Sequence, residues 1–170
     1  VVVDDLGLGL MKKLSKLIRG WVRDGNPPPL LFTLESIKKS IDVFPIEMVD
    51  IKDYHKVLYG EDVVKQFTIS TANLRHQLEY ELKGKLIQLR MRYLLTEGKS
   101  KDIENLLVNS LSTFLVLLRS TVRLYQDTVP ANKMEAVTAL SKHLSFDTVI
   151  FEKIEKLKSC RKISDDRDDL

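Results

Sequence analysis

The chain has 170 residues, of which 44% are hydrophobic and 30% charged, so it is long enough for one domain with a substantial core or for two small units. Its 27 basic residues are interspersed with 24 acidic ones, and the net charge of +3 gives no strong indication of nucleic-acid binding. Cys160 is the only cysteine, which excludes an internal disulfide and a cysteine-based metal cage and predicts a reducing, cytoplasmic location.

The chain contains no segment of about 18 uninterrupted apolar residues, the length that a membrane-spanning helix requires. Its most apolar run, residues 106–118, is interrupted by four polar residues: Asn109, Ser110, Ser112 and Thr113. We therefore interpret this run as a buried helix and expect no membrane partner. The three histidines are too far apart in the sequence to support a zinc site.

The first 23 residues predict a short strand followed by a one-sided helix. Val1 to Val3 form a β-branched triplet, and Asp4 or Asp5 can cap the helix that follows. The apolar residues of this helix are spaced three and four apart: Leu6, Leu10, Leu14, Leu17, Ile18 and Trp21. Basic residues occupy the rest of its surface: Lys12, Lys13, Lys16, Arg19 and Arg23. We interpret them as a solvated face.

Three consecutive prolines, Pro27 to Pro29, end this helix, because proline lacks the amide that a helix interior needs. Leu30 to Thr33 then predict a short strand, and Leu34 to Ser40 a helix of one or two turns. The order of strands and helices up to residue 60 is that of an α/β unit.

The stretch from Val43 to Gly60 predicts a strand that carries carboxylates into an apolar environment. Burying a carboxylate is costly unless it has a function. Successive side chains of a strand point to opposite faces, so Glu47 and Asp50 would face opposite ways and at most one of them could face a given site. The alternative is an edge strand whose polar residues face water, and Pro45 supports it because proline is tolerated at edges.

From Ser70 onward the pattern is helical. The first helix has apolar residues along one stripe and ends at Gly98; the stripe consists of Leu74, Leu78, Leu82, Leu86, Leu89 and Tyr93. A second helix, residues 101–126, is apolar around most of its circumference, which predicts a position in the middle of a bundle. Pro130 begins a third helix and Asp147 caps a fourth.

The predicted fold class is therefore α+β and predominantly helical. A partial αβ unit spans residues 1–62, a four-helix bundle spans residues 70–158, and the boundary between them lies within residues 61–69. Residues 159–170 are rich in aspartate and poor in apolar residues, so we expect a flexible acidic tail.

The candidate chemistry is that of carboxylates. The sequence lacks a Gly-x-Ser-x-Gly motif and a histidine in a recognisable nucleophile motif, which gives little support to covalent hydrolase chemistry. Two or three acidic side chains that converge on Mg²⁺ can stabilise the charge that develops in nucleotidyl transfer.

Residues 46–51, Ile-Glu-Met-Val-Asp-Ile, are followed by residues 55–62, His-Lys-Val-Leu-Tyr-Gly-Glu-Asp. This sequence resembles the end of the catalytic domain of small prokaryotic nucleotidyltransferases of the polymerase-β-like superfamily, where an acidic strand precedes a helix and a closing Leu-Tyr-Gly segment. The helical half, with Leu-Arg-His-Gln at 74–77 and Glu-Tyr-Glu-Leu-Lys-Gly-Lys-Leu at 79–86, is similar to the bundles appended to such enzymes.

The resemblance implies metal-dependent transfer of a nucleotidyl group from a nucleoside triphosphate to a hydroxyl of an unknown acceptor. Glu47 would be the catalytic carboxylate, as a metal ligand for Mg²⁺ or as the base, and Asp50 is the alternative. The family's Gly-Ser and Asp-x-Asp motifs would align before Val1 and are absent from this sequence. We therefore expect weak or no transferase activity from this chain alone.

Basic residues of the helical half are candidates for substrate binding. Arg75, Lys85 and Arg92 can line a groove for an anionic ligand, although exposed basic residues on a surface helix are commoner. Tyr59 is assigned to the same role, with a core or interface position as the alternative.

A second hypothesis belongs to another functional class. The chain would be a non-catalytic helical module that forms a homodimer or docks a partner protein, through an unpaired sheet edge or an apolar surface. The sequence alone leaves both hypotheses open.

Overall fold

The computed structural model describes residues 1–168, with side chains described for residues 1–160. Within that range it is 63% helical, with seven helices and a two-stranded parallel sheet, which confirms a predominantly helical α+β protein. The elements in chain order are β1 (Val2–Val3), α1 (Leu8–Arg23), β2 (Phe32–Thr33), α2 (Leu34–Ser40), α3 (Pro45–Tyr54), α4 (Thr71–Leu94), α5 (Ser100–Val122), α6 (Lys133–Ser141) and α7 (Val149–Asp168).

The chain divides into two compact units, Val1–Leu74 and the remainder from Arg75. The core of the first unit consists of Ile37, Met48, Val64 and Phe67. Val64 and Phe67 belong to this core, so the first compact unit includes residues after 62.

The sheet of the first unit is short and parallel. Val2 pairs with Phe32 and Val3 with Thr33, which confirms both strands that the sequence predicted near these positions. α1 lies between the two strands in the chain, and a connection of this length is what parallel pairing requires.

α1 begins later than the sequence indicated. Its N-cap is Gly7, whose backbone is extended and whose position provides no side-chain cap, so the prediction that Asp4 or Asp5 caps the helix was wrong. Both aspartates precede the first helical turn by at least two residues, which is too far for the usual bond from an N-cap side chain to the second or third helical amide.

α2 has the bounds that the sequence predicted, and the reason is local. The Thr33 hydroxyl accepts a hydrogen bond from the Ser36 amide at 3.0 Å, and the Ser36 hydroxyl accepts one from the Thr33 amide at 2.8 Å. This reciprocal capping box satisfies two backbone amides at the start of the helix.

The predicted strand within Val43 to Gly60 is wrong, because the central part of this stretch is the helix α3. Pro45 occupies its first turn, where a fixed φ and a missing amide favour a helix start. Pro45, Ile46 and Met48 are buried, and Met48 packs in the core of the first unit. An apolar run this short fits the residue spacing of a helix as well as that of a strand. The burial of Met48 in the core decides in favour of the helix.

The second unit is built around α5. Its buried residues Val108, Leu111 and Leu115 pack with Val137 of α6 and Ile154 of α7. A second cluster joins Val122 at the end of α5 to Ala136 and Leu140 of α6. α5 also has the length and hydropathy of a membrane-spanning helix, a property that core helices of soluble proteins share.

Two helix starts in this unit were predicted with different success. The Asp147 carboxylate accepts a hydrogen bond from the Val149 amide at 2.8 Å, so it bonds the first amide of α7, although Thr148 and not Asp147 directly precedes the helix. α6 begins at Lys133 rather than at Pro130, because the Asn132 side chain accepts hydrogen bonds from the amides of Met134 and Glu135. α7 continues to Asp168 through most of the predicted acidic tail, and residues 169 and 170 lie outside the described residues.

Candidate functional site

The two predicted catalytic carboxylates lie on α3, and the helix changes their relationship. Glu47 is exposed in the first turn, where a negative charge is favourable near the positive end of the helix dipole. The expectation that it lies in a buried apolar strand is therefore wrong. Asp50 is partly buried and three residues further on, so the two side chains share one helix face instead of pointing in opposite directions.

A magnesium site needs oxygen ligands that converge. Glu47 and Asp50 each interact with neighbours in the structure. Among the described residues, no group of three or more His, Cys, Asp or Glu side chains is arranged to hold a metal ion. Glu47 and Asp50 thus provide a pair of carboxylates on one helical turn, and Mg²⁺ binding stays a prediction.

Two of the predicted substrate-binding residues meet at one pocket of the second unit. Lys85 and Arg92, two turns apart on α4, line a small polar pocket between α4 and α5. Its other lining residues are Gln88, Leu89, Asn109, Ser110, Thr113 and Phe114. This described lining contains two cations and no carboxylate, so the pocket suits a small anion better than a cation.

The other two predicted residues, Arg75 and Tyr59, lie elsewhere in the chain. Arg75 lies before this pocket on α4, where it contributes to lowering the pKa of Glu79, an effect that comes mainly from the hydrogen bond and charge of Lys83. Tyr59 is 98% exposed in the loop after α3, so its alternative assignment to the core is wrong.

A histidine–carboxylate pair in the first unit had no indication in the sequence pattern. The His55 Nε2 atom lies 3.0 Å from Asp62 Oδ1, and His55 Nδ1 lies 3.0 Å from the carbonyl oxygen of Lys52. Asp62 Oδ1 also accepts hydrogen bonds from the amides of Val64 and Lys65. An aspartate that bonds amides two and three residues ahead is a common turn signal, but its pairing with His55 depends on the path of the loop.

The pair shifts both pKa values in the direction that favours the charged forms. Hydrogen bonds to the Lys52 carbonyl and to Asp62 raise the pKa of His55 above its ordinary value of 6.5. Partial burial raises the pKa of Asp62, but the hydrogen bonds that it accepts from His55 and Lys65 outweigh this and hold the pKa below its ordinary value of 3.8.

α4 has a second apolar stripe that the sequence reading missed. We call it the outer stripe, and it consists of Tyr80, Gly84, Ile87, Met91 and Leu94. Its four large side chains are between 56% and 77% exposed. At about 100° per residue, the outer stripe lies opposite the side of α4 on which Leu78 is buried. The signal in the sequence was the alternating spacing of four and three residues.

An apolar groove adjoins the outer stripe. It lies between α4 and α5 and has a volume of about 350 Å³. Its lining residues are Leu89, Arg90, Tyr93, Leu94, Ile103, Leu106 and Leu107. Leu94 belongs to both features, so the exposed apolar surface continues from the outer stripe into the groove.

The fold and these sites define a predominantly helical α+β protein with an exposed apolar face on its longest helix. Comparison of the chain with protein-family models, with curated proteins and with solved structures found no match. The proposals below therefore rest on the described residues alone.

Proposed function

We propose that the chain is a non-catalytic interaction module that self-associates through the outer stripe of α4. The single observation that supports this is an apolar stripe with coiled-coil spacing on a helix face that points to solvent. Exposed apolar area of this kind is unfavourable in water, and covering it with an equivalent helix gains about 25 cal/mol per Å² of apolar surface buried.

The spacing of the outer stripe matches the seam of a coiled coil. Tyr80, Ile87 and Leu94 are seven residues apart, and Gly84 and Met91 fill the intervening seam positions. Apart from its chain neighbours and the nearby backbone of its own helix, no described atom lies within 4 Å of the point that a Cβ would occupy at Gly84. Gly84 therefore lets a second backbone approach closely near the middle of the stripe.

The flanking charges favour a parallel pair. Lys83 and Arg90 flank the outer stripe on one side, and Glu81, Gln88 and Leu95 flank it on the other. In an antiparallel pair, the side with Lys83 and Arg90 would meet the same side of the second copy, which places cations against cations. In a parallel pair the two sides face each other, and Lys83 meets neutral Gln88 of the second copy.

Light scattering after size-exclusion chromatography tests self-association. We expect a dimer at about 100 μM chain, where an interface with a Kd of about 1 μM is almost fully formed. Leu94→Glu should give a monomer, because it places a charge in the seam. Leu58→Glu, at another exposed leucine outside the stripe, is the matched control and should leave the dimer intact. A monomeric wild-type chain at this concentration would refute the proposal.

Disulfide trapping tests the orientation. In a Cys160→Ser background, Leu94→Cys places one thiol at the end of the stripe. In a parallel dimer the two thiols meet and oxidise to a covalent dimer. In an antiparallel dimer they lie at opposite ends, so a covalent dimer would form only with Gln77→Cys on the second copy.

Nucleotidyl transfer is the second candidate, and the placement of Glu47 and Asp50 on one face of α3 is what favours it. Mg²⁺ is often held by one or two carboxylates together with the phosphates of a substrate. Calorimetric titration of Mg²⁺ with and without a nucleoside triphosphate tests this candidate. Binding that is the same in wild type and in Glu47→Gln would remove it.

A further inference from the structure

α1 is strictly divided into an apolar and a basic side. With about 100° between successive residues, its main apolar residues fall in an arc of about 140°. They are Leu10, Met11, Leu14, Leu17, Ile18, Trp21 and Val22. Its basic residues fall in a separate arc of about 120°. They are Lys12, Lys13, Lys16, Arg19 and Arg23.

The charge of α1 has one sign. Residues Leu8–Arg23 contain no aspartate or glutamate, and the nearest acidic residues are Asp5 before the helix and Asp24 after it. Lys13 and Arg19 lie at the two borders of the apolar arc, where long side chains can extend their charges away from an apolar surface. The helix therefore presents an apolar strip with one cation at each edge.

The apolar side of α1 is not used by the core. Residues Leu8–Arg23 are all described, and none of them is buried. Leu17 is 74% exposed and Trp21 is 52% exposed, although both lie within the apolar arc. The core of the first unit consists of residues from other segments, Ile37, Met48, Val64 and Phe67. Leu10, Leu14 and Ile18 along the middle of the arc are partly buried, so packing within the first unit covers the apolar side only in part.

We propose that α1 binds the surface of a bilayer that contains anionic phospholipids, and that it lies in the plane of the interface. The apolar arc enters the boundary between headgroups and acyl chains, and the basic arc faces the phosphates and serine carboxylates. Trp21 suits this position, because its large indole ring is 52% exposed while its one polar N–H already donates a hydrogen bond to the Pro27 carbonyl oxygen. This departs from the expectation of no membrane partner that the sequence indicated.

A bilayer fits α1 better than an acidic protein does. A protein groove holds a few apolar anchors of a helix, whereas a bilayer surface contacts a whole apolar arc and the cations beside it. In α1 the apolar arc is continuous, and a cation lies at each of its edges. The outer stripe lies on a different helix, α4, so an experiment that refutes one of the two proposals leaves the other unaffected.

Trp21 is the only tryptophan in the chain and is therefore a specific probe of α1. The test adds the full chain to vesicles of phosphatidylcholine with phosphatidylserine, and to vesicles of phosphatidylcholine alone. We expect a blue shift of tryptophan emission and co-sedimentation with the anionic vesicles only. We also expect both signals to fall as salt is added, because screening weakens the attraction.

Charge variants test the basic arc. Each cation removed near an anionic bilayer should weaken partitioning about fivefold. Lys12→Glu with Lys16→Glu should therefore lower binding at least about 25-fold, since two cations are lost and two repulsive charges are gained. The control is Lys153→Glu with Lys156→Glu on α7, which changes the net charge equally at two exposed lysines and should bind like wild type.

The apolar arc is tested by Leu17→Ser, with Leu58→Ser at an exposed leucine after α3 as the control. Circular dichroism checks that each variant keeps its helices. We expect weaker vesicle binding for Leu17→Ser and none of this loss for Leu58→Ser. Equal binding to both kinds of vesicle, no binding to either, or an emission shift with polyglutamate but not with anionic vesicles would each overturn the proposal.

Discussion

His55 Nε2 lies 3.0 Å from Asp62 Oδ1, and this contact holds together the two ends of the loop that follows α3. The loop carries Leu58 and Tyr59, which are exposed, and Gly60, which has a φ of 80°. A positive φ of this size is readily adopted by glycine, so the loop turns back at Gly60 and brings Asp62 to His55.

The first prediction concerns the pH dependence of stability. The pKa of His55 is higher in the folded chain than its ordinary value of 6.5, so its stabilising effect is fully present below that value and is lost as pH rises through the raised pKa. His55→Gln should therefore lower the Tm more at about pH 5 than at about pH 9. Thermal unfolding of both proteins at the two pH values measures this.

The same experiment has a control and a contrary outcome. His76→Gln removes an exposed imidazole from α4 and should leave the Tm difference between the two pH values as in wild type. An equal loss of Tm for His55→Gln at both pH values would show that the charged pair contributes nothing. The Asp62 pKa lies below 3.8, so acid weakens the pair only as pH falls through that lowered value.

The second prediction concerns the capping box of α2. Thr33→Ala removes the hydroxyl that accepts from the Ser36 amide and should cost about 1 kcal/mol of unfolding free energy. Thr33→Ser keeps the oxygen and should cost less. Urea denaturation followed by circular dichroism compares the two variants, and equal losses would argue against the cap.

The third prediction tests the helical assignment of α3. Met48 is 2% exposed in the core, so Met48→Ala should cost about 2–5 kcal/mol. Val43 is exposed before the helix, so Val43→Ala should stay within about 0.5 kcal/mol of wild type. Denaturant titration measures both. Similar costs at the two positions would indicate that the stretch is not folded as described.

The fourth prediction concerns the polar pocket between α4 and α5. If Lys85 and Arg92 bind an anion together, titration with inorganic pyrophosphate should shift the amide resonances of the residues that line the pocket. Lys85→Gln with Arg92→Gln should abolish these shifts. Arg75→Gln serves as the control, because Arg75 does not line this pocket. Shifts that persist in the double variant would exclude the pocket.

Local signals explain the elements that the sequence predicted well. α2 depends on a capping box within four residues, and the predicted Asp147 accepts a hydrogen bond from the first amide of α7. α4 and α5 are long enough for a helical period to be unambiguous. α3 was missed because its apolar run is short and its identity depends on the burial of Met48 against distant residues.

The candidate sites were predictable only in part. Lys85 and Arg92 are two turns apart on one predicted helix and line one pocket, whereas Arg75 does not, and anion binding there stays a prediction. The spacing of the outer stripe can be seen in the sequence, because it is periodic. The sequence does not show that the side chains of the stripe are exposed. The pair of His55 and Asp62 had no sequence signal, because it depends on how the intervening loop turns.

The sequence by itself determined the predominantly helical class, the two short strands, and the separation of apolar from basic residues on α1. These follow from period, composition and caps, which act over a few residues. Only the tertiary structure decided which apolar faces are covered. The core of the first unit consists of Ile37, Met48, Val64 and Phe67, and Leu17 and Trp21 on the apolar side of α1 stay exposed. Burial depends on contacts between residues far apart in the chain, and local pattern does not contain them.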